Sequence, residues 1–225
     1  MSKEFRKQMG FTNQGKYKEW LKGKDIVVPN YQLLEKYNSR LSTIFNNINQ
    51  QLEIPFGGNI DQMIIRSYTV MKDNHIIERL NNNGRACEEV YYKWMQGYLA
   101  ERVFLPFMIK KLGLTELDRN GGDDLTNIET FKRTGDADLI DRSTGTRIDV
   151  QCGTGDGVST IKYHKVKHAL ANDGTTYAFL IGLFTGRYAI INLNNLKDSE
   201  FKANVRWEGQ LCWTVPEMLF QNWYK

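Results

Sequence analysis

Residues 135–153 read GDADLIDRSTGTRIDVQCG, and the fold turns on them. Asp138 stands just before Leu139–Ile140. Asp149 and Gln151 stand two apart in the next β-type run, TRIDVQCG, and the intervening RSTG is a turn signal. Two short strands paired through that turn bring Asp138 and Asp149 toward one end of a sheet. Side chains alternate along a strand, so Asp149 and Gln151 share a face while Val150 points the opposite way, into the core. Converging carboxylates repel one another unless a cation joins them. Hard oxygen ligands without a thiolate or imidazole cluster beside them indicate Mg2+ rather than zinc. Asp136 is an alternative first ligand, one residue nearer the loop on the far side of Ala137.

Upstream of this stretch the apolar period is helical. Residues 31–51 carry Leu33, Leu34, Tyr37, Leu41, Ile44, Phe45 and Ile48 at helix spacing, and Pro55 with Gly57 and Gly58 ends the segment. Residues 60–80 form a second helix. After the break NNNGR, residues 86–112 form the clearest helix of the chain, bent or split at Pro106 and stopped at Gly113. Downstream, YHKVKHALAND reads as a helix, and TTYAFLIGLF and RYAIINL read as buried strands bridged by Thr185–Gly186. TVPEMLFQNWY reads as a closing helix that starts at Pro216. The sum is an α/β protein: a mixed central sheet flanked by helices over residues 86–225, with a helical N-terminal elaboration over residues 1–85.

The chain has 225 residues and a net charge of +4, with 41% apolar residues, enough for a substantial core. No apolar run approaches the length needed to cross a bilayer, which excludes a membrane partner, and MSKEFRKQMG has no apolar signal core, so the expected location is the cytoplasm. Cys87, Cys152 and Cys212 lie far apart with no CxxC, against both a zinc site and a disulfide framework. Positive charge is concentrated in residues 1–24 and in TIKYHKVKHAL, where Lys162, Lys165 and Lys167 stand with His164 and His168 and no acid. Basic clusters interleaved with aromatic residues suit a phosphate backbone, so these five residues are the expected DNA contacts.

The pattern of an Asp, a short turn, a second acid, one residue and a polar residue resembles the signature of the PD-(D/E)xK nucleases, and most of all the type II restriction endonucleases. The resemblance spans residues 86–192 at most. It implies a restriction-endonuclease-like core, Asp138 and Asp149 as metal ligands for Mg2+, and Gln151 in the position of the family's lysine. Ala137 replaces the usual proline, and glutamine in place of lysine is a departure. An amide supplies no charge, but it holds a water by hydrogen bonds. The family often adds a glutamate from the preceding helix. Glu88, Glu89 and Glu101 are the candidates, with Glu101 preferred as the catalytic one because GYLAERVFLPFMIKK reads as the core helix. Lys162 or Lys165 is an alternative source of the missing positive charge.

Three other motifs carry less. GTGDG at 153–157 lacks the Gly-Lys-Ser/Thr ending of a phosphate loop. Asp123–Asp124 follows two glycines as a polar turn. His164 and His168 have metal-like spacing but no HExxH glutamate. The implied activity is Mg2+-dependent hydrolysis of double-stranded DNA at a specific, palindromic site by a homodimer, because a palindrome mirrors a two-fold protein axis. The alternatives are a structure-selective or repair nuclease of the same fold and a non-catalytic DNA-binding protein.

Overall fold

The computed structural model describes residues 28–80, 85–120, 136–153, 159–205 and 209–224. The basic segment 1–24, the pair Asp123–Asp124 and residues 154–157 of the GTGDG stretch lie outside them.

Helix α1 (Tyr31–Gln51) begins where the Asn30 side chain accepts from the Leu33 backbone N–H at 3.1 Å, and it buries Leu34, Leu41, Phe45 and Ile48. An asparagine likewise opens α2 (Ile60–Asp73), where Asn59 accepts from Gln62 at 2.9 Å. Each cap satisfies a backbone donor that the helix itself leaves orphaned. The expected second helix over 60–80 is α2 plus a one-turn helix, α3 (Ile76–Arg79). The long helix divides into α4 (Cys87–Val103) and α5 (Leu105–Leu112), with Phe104 at the joint. Pro106 falls in the first turn of α5, where its missing N–H leaves no hydrogen bond unmade. Gly113 ends α5 with φ at +65°, a conformation that costs glycine nothing.

The main sheet has six strands in the order β1-β2-β3-β5-β6-β9. These are β1 (Asp118–Arg119), β2 (Leu139–Ile140), β3 (Arg147–Gly153), β5 (Thr176–Gly182), β6 (Arg187–Asn192) and β9 (Gln221–Asn222). β3 and β5 are parallel and every other pair is antiparallel, so the sheet is mixed. Parallel neighbours require a crossover. It carries β4 (Thr160–Lys162) and helix α6 (Tyr163–Leu170). β4 joins β7 (Lys202–Asn204) and β8 (Gln210–Thr214) in a separate three-stranded sheet of order β4-β8-β7.

Each face of the main sheet covers its own core. Ile148, Phe179, Ile181 and Tyr188 pack against the cluster built by α1 to α5, which also contains Trp223. Ala178, Leu180, Ala189 and Ile191 pack on the other face against Val166 and Ala169 of α6 and Ile161 of β4. β5 is therefore buried on both sides, which explains why it reads as a continuous apolar run rather than an alternation. One core joins the helices of 31–80 to the sheet, so the described parts of the chain on either side of residue 85 pack as one body. Among the described residues no helix is long and apolar enough to cross a membrane.

The closing helix expected in TVPEMLFQNWY does not form. Thr214 ends β8, Glu217–Leu219 make a single 3-10 turn, and Gln221–Asn222 pair with β6 as the edge strand β9. The aromatic residues at this end are held by tertiary contacts: Trp223 is buried, and its indole N–H donates to the Gly182 carbonyl at 3.3 Å.

Candidate functional site

The turn between β2 and β3 is built by its own residues. The Asp141 carboxylate accepts from the Ser143 hydroxyl at 2.6 Å and the Ser143 backbone N–H at 2.8 Å. Those bonds, the hydroxyl's foremost, hold its pKa below the usual carboxylate value against the opposing effect of burial. Gly145 takes φ +70° to close the turn. β2 and β3 then pair with Leu139 opposite Ile148. This register sets Asp138 beside the next residues of β3, and its Oδ2 accepts from the Val150 N–H at 2.7 Å. Asp138 thus lies against the strand at the residue that follows Asp149. Asp136 is described and exposed.

Asp149 is buried to 7% exposure on the face of β3 that looks toward α6. Its counter-ion comes from that helix: the Lys165 ammonium lies 2.6 Å from Asp149 Oδ1, with the lysine side chain 36% exposed and that of Asp149 only 10%. Burial alone pulls the Lys165 pKa down. The charges of Asp149, Asp138 and Glu101, together with the hydrogen bond to Asp149, outweigh it and leave the pKa raised. Lys165 thus sits in the field of Asp138, Asp149 and Glu101 together. The sequence reads this lysine as a DNA-phosphate contact, with entry into the site as the alternative; here its ammonium is on Asp149.

Gln151 shares the Asp149 face, as the strand period requires, and its Nε2 donates to the Thr160 carbonyl at the start of β4 at 3.1 Å. Glu101, near the end of α4, pairs with Arg119 of β1 at 3.4 Å, both side chains largely buried. The other two glutamates lie at the opposite end of α4, where Glu88 accepts from the Asn30 backbone N–H at 2.6 Å and Glu89 is exposed.

The remaining basic residues follow α6. Lys162 precedes its first turn, and the Lys167 ammonium lies 4.9 Å from the Tyr163 ring centroid, with Lys167 and His168 exposed. The His164 pKa is lowered by partial burial and then by the charges of Lys165, Lys162 and His168, with Asp149 acting in the opposite sense.

The cysteines are poor nucleophiles. Burial, then the charges of Glu101 and Asp138, push the Cys152 thiol up to about 12 against the pull of Lys93. Burial and Glu88 push Cys87 up to about 12 as well, and burial raises Cys212. All three stay protonated at neutral pH.

Among the described residues no group of three or more His, Cys, Asp or Glu side chains gathers to hold a metal ion. Magnesium does not need one, since it is commonly held by one or two carboxylates with water and substrate phosphate completing its shell. Asp138 and Asp149 supply hard carboxylate oxygens from adjacent strands, and a positive charge already lies against one of them. Their hard carboxylate oxygens are of the kind Mg2+ takes, while Glu101 is tied to Arg119. No family model matches the chain, and neither does a curated protein or a solved structure.

Proposed function

We propose that the chain is a magnesium-dependent DNA endonuclease with a restriction-endonuclease-like core, a type II enzyme that hydrolyses both strands of a palindromic site as a homodimer. The observation that carries this reading is the Lys165 ammonium 2.6 Å from Asp149, with Asp138 bonded to the backbone of the next residue of the same strand. A strand–turn–strand that delivers two acids, followed by a crossover helix that delivers a cation, is the arrangement phosphodiester hydrolysis needs. The reaction requires charge stabilisation on the phosphoryl oxygens and a water held in line with the leaving oxygen.

In this reading Asp138 and Asp149 hold the Mg2+, and the chain supplies the rest. When bound, the ion polarises the phosphoryl oxygens and acidifies the attacking water. The Val150 N–H fixes the orientation of the Asp138 carboxylate. Arg119 holds Glu101 near the lysine, where its charge adds to the field that favours cations. Lys162 and Lys167 line the approach along α6 as backbone contacts.

The test is incubation of plasmid and linear DNA with Mg2+ or with EDTA. Discrete fragments that need Mg2+ are the expected result. Smears, or a preference for branched DNA, favour a repair nuclease; binding without cleavage at any Mg2+ concentration overturns the enzymatic reading in favour of a DNA-binding protein.

A further expectation concerns Lys167. Lys167→Gln weakens binding to all DNA sequences alike and lowers the slope of log K against log salt by about one unit, because one phosphate contact is lost. Fluorescence anisotropy in Ca2+ over a salt series measures it. A changed sequence preference instead would assign Lys167 to base reading.

A further inference from the structure

The position where the resemblance calls for a lysine holds Gln151, and the structure gives that amide another partner. Its Nε2 donates to the Thr160 carbonyl. Thr160 begins β4, which belongs to the three-stranded sheet, so the Gln151 side chain ties the main sheet to the smaller one. Meanwhile a lysine has arrived at the neighbouring acid by another route. Lys165 is the third residue of α6, and Val166 and Ala169 of that helix are buried against the main sheet. Residues four apart on a helix lie on the same side. Lys165 therefore flanks the buried stripe at Ala169, and side chains lean toward the helix N-terminus. That geometry carries its stem down toward β3 and sets its ammonium 2.6 Å from Asp149.

We propose that Lys165 supplies, from the crossover helix, the charge that Gln151 does not, and that Gln151 is a structural tie between the two sheets. The proposal rests on the nuclease reading. In hydrolysis the water oxygen forms a bond to phosphorus, the phosphorus–oxygen ester bond breaks, the water's proton leaves to solvent and the departing oxygen takes a proton from solvent. An ammonium has three donors and no acceptor, so it is not the base. Lys165 orients the attacking water through its oxygen and offsets the negative charge that builds on the phosphoryl group. Because it sits on Asp149, it also competes with a divalent cation for that carboxylate.

The experiment compares Lys165→Gln, Gln151→Ala and the double variant Lys165→Gln/Gln151→Lys with the parent, all as full-length chains. Three readouts are used: single-turnover cleavage in Mg2+, calorimetric titration with Mn2+ and thermal melting. Lys165→Gln is expected to lose about a hundred- to a thousandfold in cleavage rate, the range for a positioned charge or proton-handling group. It is also expected to bind Mn2+ more tightly than the parent, and to melt lower without metal because the nearly buried Asp149 carboxylate loses its counter-ion. Gln151→Ala is expected to melt at a lower temperature and to lose less than about tenfold in rate, well below the loss for the lysine variant. The double variant returns an ammonium from the strand and recovers part of the lost rate. A merely structural lysine would not give the paired result of slower cleavage and tighter metal. Cleavage by Lys165→Gln at the parental rate overturns the proposal, as does weaker Mn2+ binding by that variant. A parent that cuts no DNA overturns the nuclease reading by itself. The Mn2+ titration then still decides whether Lys165 competes for the metal carboxylate, with unchanged affinity in Lys165→Gln as the overturning result.

Discussion

Asp149→Asn is expected to lower Mg2+-dependent cleavage by about a thousandfold or more while the protein stays folded, because it removes a full negative charge from the position proposed to hold the cation. Asparagine matches aspartate in shape, so the packing of a side chain at 7% exposure is kept. The cost to stability is small. The Lys165 ammonium loses its partner, but that side chain is about a third exposed and reaches water, so the loss stays near the surface-pair range of about 1 kcal/mol or less. DNA binding measured in Ca2+ is expected to survive, since Ca2+ occupies oxygen sites without sustaining turnover. Single-turnover cleavage, anisotropy and melting on the same preparation separate these effects. An Asp149→Asn protein that cuts within tenfold of the parent would remove Asp149 from the metal site.

The largest expected effect on stability lies at Phe179, in the middle of β5. Its ring is fully buried, stacked on Tyr188 at a centroid distance of 5.6 Å and edge-on to Phe107 at 6.3 Å. Phe179→Ala is expected to destabilise the fold by about 3–5 kcal/mol, the sum of lost transfer energy and a cavity that the surrounding aromatic rings do not collapse to fill. A typical domain has only about 5–15 kcal/mol in total, so the urea midpoint shifts substantially. A change of less than about 1 kcal/mol would mean that the cluster repacks around the gap.

The elements whose signals are local were legible in the sequence. Helix α1 has both a cap at Asn30 and an apolar stripe, and its bounds match the pattern. Pro106 and Gly113 mark the joint and the end of the α4–α5 pair because each acts through its own backbone. The placing of Asp138 against β3, next to the residue after Asp149, followed from strand pairing through one turn. Elements decided by distant partners were not legible. The segment from Thr214 to Tyr224 mixes Pro216 with scattered aromatics, a pattern equally at home on a helix. What fixes it is pairing with β6 and the burial of Trp223 under Gly182. The small sheet escaped notice because β4 and β7 have three residues each, too short to show a period. At Lys165 the sequence offered a signal that was outweighed: the run KYHKVKH looks like a solvated basic face, yet the spacing from Lys165 to Ala169 already put this lysine beside the buried stripe.

The parallel pairing of β3 with β5 has a consequence for when the proposed activity can arise. β3 meets β5 from Arg147–Thr176 to Gly153–Gly182, so the pairing exists only after the chain has been made through residue 182 and the crossover has docked. Until then Asp149 has no lysine against it, although both residues have already been synthesised. Non-local parallel pairing is among the slower steps available to a folding chain. On the nuclease reading, a nascent or partly unfolded copy holds every reactive side chain but no assembled centre, and cutting power arises only once β3, β5 and the crossover helix have come together rather than growing with chain length.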